Sequence, residues 1–195
     1  MSFNPSRILI NGRFVNSEYS VSIFSPSFQY GLNVFEGMRA YAQEKGGLKV
    51  FMINEHCKRL IKSSELLGFK TNLTKEIVEK DINFLLNSEN PSEDIYIKYM
   101  LCFLGKGNWS KVENIDRVVF FYPVKSNLCE SISSKANFSS FKRISNNSLL
   151  PQIKCGANYI NSRMAYLETI RFGFDFPLLI NETDLYLKVA EHVFL

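Results

Sequence analysis

Histidine is scarce in this chain: His56 and His192 are the only two. That scarcity argues against a His-rich metal centre and against a Ser-His or Cys-His nucleophile pair. The four cysteines, Cys57, Cys102, Cys129 and Cys155, are widely spaced with no C-x-x-C pair, so they read as reduced thiols rather than as a zinc or dithiol site. Neither a G-x-x-x-x-G-K-[ST] loop nor a G-x-G-x-x-G turn is present, and no glycine-rich phosphate cradle is expected. The opening "MSFNPSRILING" lacks the basic and apolar regions of a signal peptide, and no later apolar run is long enough to span a membrane. The 23 basic and 19 acidic residues are scattered, without the block of like charge that marks a nucleic-acid or membrane surface. A soluble, cytoplasmic protein is expected, with polyanions poor candidate partners. Its 195 residues and 46% hydrophobic content suffice for one good-sized core, or for one domain and part of another.

What is present begins with β signals. "ILINGRFV" places two short apolar runs around Asn11-Gly12, a hairpin signal, and the runs flanking Glu44-Lys45-Gly46-Gly47 read as a second hairpin. "NEHCKRLIKSSELLGF" switches to helical spacing, with Leu60, Ile61, Leu66 and Leu67 apolar and Gly68 as the stop. A further helix is expected after Thr74 as N-cap, with Ile77, Val78, Ile82, Leu85 and Leu86 on one stripe. "DIYIKYMLCFLG" and "RVVFFYPV" read as strands. Residues 1–125 are thus read as a small N-terminal α/β domain. The Ser, Asn and Lys content of residues 126–137 suits an interdomain linker, and residues 138–195 are read as the start of a second domain. In it, "FSSFKRIS" is expected to be a strand, Asn158 to Phe172 a helix closed by Gly173, and "FPLLIN" a buried strand.

Composition alone assigns no chemistry to Lys154, since a lone lysine beside a loop is normally a solvated charge. The string around it, "KCGANYINS", closely resembles the lysine segment of the fold-type IV pyridoxal-phosphate aminotransferases, particularly the branched-chain amino-acid aminotransferases. "YGLNVFEGMRAY" (residues 30–41) is similar to that family's substrate-pocket segment and "EHCKRL" (55–60) to its H-x-x-R-L phosphate segment. "YIKYMLCF" (96–103) and "GFDFPLLIN" (173–181) resemble two further family strands, in the family's order and spacing over about residues 5–182.

The resemblance implies a two-domain α+β / α/β architecture of fold type IV, a pyridoxal 5′-phosphate cofactor, amino-acid and 2-oxo-acid substrates, and a homodimer. It implies that Lys154 forms the internal Schiff base and shuttles a proton between Cα and C4′, which requires a lysine amine whose pKa a pocket can lower. Tyr159 would hydrogen-bond the cofactor's phenolic oxygen, and Arg59 would hold its phosphate with a planar, permanently charged fork. Phe35 and Gly37 would line the side-chain pocket; Arg39, Tyr96 and Lys98 would position the substrate carboxylate; Tyr30 would reach a neighbouring subunit. Lys98 departs from the family's usual arginine, keeping the charge and losing the bidentate geometry.

The resemblance breaks after Asn181. The family continues as G-x-x-x-E-G-S-G-x-N-I-F, whose glutamate keeps the pyridine nitrogen protonated, whereas "TDLYLKVAEHVFL" places Leu187 there. Moving each codon boundary from Thr183 by two nucleotides permits "GFISESSGACIF", close to the missing motif. Residues 184–195 are therefore expected to be out-of-frame sequence on a C-terminally truncated aminotransferase, with a complete small domain and only the start of the larger one. Such a chain is expected to be poorly soluble and inactive. A pseudoenzyme or dimerisation module of the same fold is the reading that Leu187 favours. D-amino-acid aminotransferase and aminodeoxychorismate lyase remain open within the fold, although "VFEGMRAY" points to the branched-chain branch.

Overall fold

The computed structural model describes residues 7–16, 18–111, 114–124 and 133–182, together with the strand pairing of 188–189. Two compact units divide the chain: Met1–Ser126 with Ile153–Cys155, and Asn127–Gln152 with Gly156–Leu195.

In the first unit, Asn11 (φ 50°) and Gly12 (φ 79°) turn β1 (Ile8–Ile10) into β2 (Arg13–Val15), both in the left-handed region that a two-residue hairpin loop demands. A short helix, α1 (Pro26–Tyr30), occupies a stretch that sequence patterning leaves unassigned. Ser25 caps it, its Oγ accepting from Phe28 N, and Gly31 closes it in the left-handed region. The second expected hairpin joins β3 (Val34–Ala42) to β4 (Leu48–Val50) through Gly46 and Gly47. Helices α2 (Ile53–Leu66) and α3 (Lys75–Glu89) follow, the latter started by Thr74, whose Oγ1 accepts from Ile77 N at 3.4 Å. Strands β5 (Ile95–Cys102) and β6 (Asp116–Pro123) complete an antiparallel six-stranded sheet ordered β2-β1-β6-β5-β3-β4.

Residues opposed across an antiparallel pair share a face. Val34, Glu36, Met38 and Ala40 of β3 therefore share a face with Ile95, Ile97, Tyr99 and Leu101 of β5, and all eight are buried. The helices cover this face: Glu36 is bonded to α2, and Tyr99 to Asp81 of α3. Of the apolar residues that mark α2 in the sequence, only Leu60 is fully buried. The buried side is Cys57, Leu60, Ser63 and Ser64, and Leu66 is only partly buried. Serine is tolerated there because each hydroxyl has a partner: Ser64 Oγ donates to Ile61 O at 2.7 Å, and Ser63 Oγ accepts from Lys154 N at 3.2 Å.

In the second unit, β7 (Ala136–Phe138) pairs in parallel with β8 (Phe176–Leu179), which pairs antiparallel with β9 (Lys188–Val189). Helix α4 (Tyr159–Arg171) runs into Gly173 at φ 76°. Two expectations are corrected here. The strand ends at Phe138 instead of running on through "FSSFKRIS": Ser139 N still donates to Leu178 O, but the Ser140 N–H, together with the Ser139 and Ser140 hydroxyls, donates to the Glu168 carboxylate, which takes Ser140 out of the ladder. The strand also takes residues 136–137 from the expected linker, whose residues 126–132 lie outside the described part. Ala165 and Leu179 are buried together with Phe141 packed against them. Leu187 and all of the expected out-of-frame tail except the paired 188–189 lie outside the described residues.

Candidate active site

The face of β3 and β5 turned away from the helices carries the residues that the sequence singles out. By register, Phe35 lies opposite Met100, Gly37 opposite Lys98 and Arg39 opposite Tyr96. Five expected site residues, Phe35, Gly37, Arg39, Tyr96 and Lys98, thus share one surface because strand side chains alternate with a period of two. The same register adds Phe120 and Tyr122 of β6, opposite Lys98 and Tyr96, which sequence patterning alone does not pick out. The Tyr96 and Tyr122 rings lie 5.2 Å apart, centroid to centroid. Burial pushes the Tyr122 hydroxyl's pKa up, and the Arg39 charge opposes that. Tyr96 crosses β3 directly above Gly37: a Cβ at position 37 would collide with the Tyr96 hydroxyl and ring, its separation from Cε2 being 2.9 Å.

Lys154 joins this surface through backbone pairing. Its carbonyl accepts from Phe35 N at 3.0 Å, and Cys155 bridges to Val34, so Ile153–Cys155 extends the β3 edge where β4 does not reach. The Lys154 ammonium stands 5.3 Å from the centre of the Phe35 ring, and Lys98 Nζ stands 4.5 Å from the same centre. Two amines share one aromatic ring. Burial, and then the charge of Lys154, hold Lys98 below the ordinary lysine pKa.

Arg59 projects from α2 to the carboxylate of Glu36, with Nε at 2.5 Å from Oε1 and Nη2 at 2.6 Å from Oε2. His56 Nδ1 lies 2.9 Å from Oε2 of the same carboxylate. The i, i+3 spacing of His56 and Arg59 puts both on one side of the helix. Glu36 is wholly buried, whereas the Arg59 side chain is 46% exposed. Burial raises the pKa of Glu36, but the hydrogen bonds and charges of Arg59 and His56 outweigh it and hold the carboxyl below its ordinary value. Sequence patterning misses Glu36, because one acidic residue inside "VFEGM" carries no sign of its partners.

The two remaining expected residues lie on helices. Tyr30 ends α1 and is 49% exposed. Tyr159 opens α4 in the second unit, partly buried, with its N–H on Gly156 O at 3.1 Å. Among the described residues, no group of three His, Cys, Asp or Glu could hold a metal ion, and no helix is long and apolar enough to cross a membrane.

The family model for amino-transferase class IV matches residues 33–190. The chain is 28% identical to a probable branched-chain-amino-acid aminotransferase of Aquifex aeolicus, covering 92% of this chain and 59% of that protein. It is 31% identical to a putative enzyme of the same description from Methanocaldococcus jannaschii, covering 90% and 60%. Among solved structures, the branched-chain aminotransferase of Thermoproteus uzoniensis with norvaline superposes with a TM-score of 0.84 at 26% identity, covering 92% of this chain and 61% of that one. The Thermobaculum terrenum enzyme in its PLP form gives 0.83 at 28%, covering 92% and 60%. The chain spans about 60% of the length of these relatives. It belongs to the class IV aminotransferases.

Proposed function

We propose that this site serves amino transfer between branched-chain L-amino acids and 2-oxoglutarate, with pyridoxal 5′-phosphate as cofactor. The observation that carries the reading is the pairing of the Lys154 amine with a second amine, Lys98, over the Phe35 ring. The donor set fits the cofactor: an amine for its aldehyde, and for its phosphate a half-exposed guanidinium. The cofactor, when bound, supplies the electron sink that amino transfer requires.

Lys154 would hold the cofactor through its Nζ and move the proton at the substrate Cα. Arg59 would bind the phosphate, and Tyr159 the phenolic oxygen. Arg39, Tyr96 and Lys98 would orient the substrate carboxylate from one sheet face. Lys98 supplies charge without the two-point fork of an arginine. Phe35 and Gly37 would border the substrate side chain, with Gly37 leaving room for the Tyr96 ring. Tyr30, half exposed, would reach a second subunit of a homodimer. Three buried free cysteines among the described residues suit a reducing cytoplasm.

Leu187 supports a second reading, in which residues 1–195 bind the cofactor without turnover, as a pseudoenzyme or a dimerisation module. Leucine cannot accept the hydrogen bond of a protonated pyridine nitrogen. The test is cofactor titration followed by a coupled assay with leucine and 2-oxoglutarate. Saturable uptake without turnover is expected. Measurable turnover would refute the second reading, and absence of uptake would refute both.

A further inference from the structure

We infer that Glu36 is a positioning residue for Arg59, fixing the plane of its guanidinium so that the donors not taken by Glu36 meet the cofactor phosphate already oriented. The inference rests on the proposed reading of Arg59. A carboxylate on a strand face between Val34 and Met38, with no exposure at all, is costly unless it is fully paired. Glu36 meets that demand with three hydrogen bonds from a single turn of α2, two from Arg59 and one contact with His56.

The geometry is specific. A carboxylate engaging Nε and Nη2 together leaves the guanidinium no rotation about its own axis, and the remaining donors lie in the same plane by covalent geometry. The other end of the arrangement is also anchored. Ser63, one turn beyond Arg59 on α2, takes the backbone N–H of Lys154 at 3.2 Å, and Phe35, the neighbour of Glu36, donates to Lys154 O at 3.0 Å. Arg59, through the Glu36 side chain, and Lys154, through its backbone, are thus tied to adjacent residues of β3. A cofactor gripped at an aldehyde and a phosphate needs those two grips at a fixed separation. Ordering the arginine before binding removes the entropy cost of ordering it during binding.

A residue that merely supports the fold would weaken all ligands alike, whereas a residue acting through Arg59 changes only what the phosphate contributes. The test is therefore the ratio of affinities for pyridoxal 5′-phosphate and for pyridoxal, titrated by absorbance with wild type, Glu36→Gln, Glu36→Asp and Arg59→Ala. Glu36→Gln is expected to lower the ratio by about tenfold, the scale of a lost charge-assisted pair, with pyridoxal affinity unchanged. Glu36→Asp keeps the buried charge and displaces the fork, so it should fold as wild type does and lower the ratio severalfold. If Arg59→Ala collapses the ratio and both Glu36 variants keep it, the positioning role is wrong while the reading of Arg59 stands. If Arg59→Ala leaves the ratio at the wild-type value, the reading of the site fails and the role of Glu36 with it.

Discussion

Replacing Gly37 by alanine puts a methyl group where the Tyr96 ring lies. The new Cβ would stand 2.9 Å from Cε2 and nearer still to Cζ and the hydroxyl oxygen, against the roughly 3.5–4.0 Å of carbon contact. The whole ring must swing away from β3, which also disrupts its packing on Tyr122 at 5.2 Å. Overpacking of this kind costs about 1–3 kcal/mol, and the lost ring pair adds about 0.5–1.5 kcal/mol. Removing a glycine from a strand interior returns about 0.5–1 kcal/mol. The net expectation is a destabilisation of about 0.5–4 kcal/mol, read by urea unfolding followed by circular dichroism, or as a fall in Tm of about 2–4 °C per kcal/mol for a chain of this size. The decisive comparison is the same substitution made in Tyr96→Ala. There the methyl has space, and Gly37→Ala should be neutral or stabilising. An equal loss in both backgrounds would refute the steric account of why glycine stands at this position.

The Tyr99–Asp81–Arg117 triad on the other face offers a second test. Tyr99 Oη donates to Asp81 Oδ2 at 2.7 Å, and Arg117 Nε donates to the same oxygen at 2.9 Å, so Asp81→Ala should cost about 3 kcal/mol in denaturant unfolding. Tyr99→Phe should cost about 1 kcal/mol, and equal costs would contradict the shared role of Asp81. Acid stability follows from Glu36. Its folded carboxyl lies below the ordinary value of 4.5, so the unfolded chain binds more protons; its contribution is complete above pH 4.5 and disappears as the pH falls through the folded value. Glu36→Gln should therefore lose less stability than wild type on acidification below pH 4.5, and parallel profiles would count against the pairing. Burial pushes the thiols of Cys57 and Cys102 up to about 11 and about 12. Neither should react with iodoacetamide at about pH 8 until the chain unfolds, and rapid labelling of the native protein would show those positions open.

Local signals with a single physical cause were the legible part of the fold. Asn11-Gly12 and Gly46-Gly47 can adopt positive φ at little cost, and both mark turns. Thr74 announces its helix through its own hydroxyl. The candidate site residues on β3 and β5 were named by the family resemblance, and strand alternation explains why they share a face. What was not legible depends on partners distant in sequence. Glu36 is made tolerable only by residues 20 and 23 positions later, and Asp81 only by Tyr99 and Arg117. Phe120 and Tyr122 enter the site face only once the β5–β6 register is known. The strand expected in "FSSFKRIS" failed for the same reason, since Glu168 lies 29 residues from the serine it captures.

The central claim is that Lys154 is the amine that carries the cofactor. The most direct measurement is borohydride reduction of the 195-residue chain after equilibration with one equivalent of pyridoxal 5′-phosphate, followed by peptide mass spectrometry. The account predicts a single pyridoxyl group on the peptide containing Lys154, and its loss from that peptide in Lys154→Ala. Modification centred on Lys98, or spread over exposed lysines with Lys154 untouched, would contradict it.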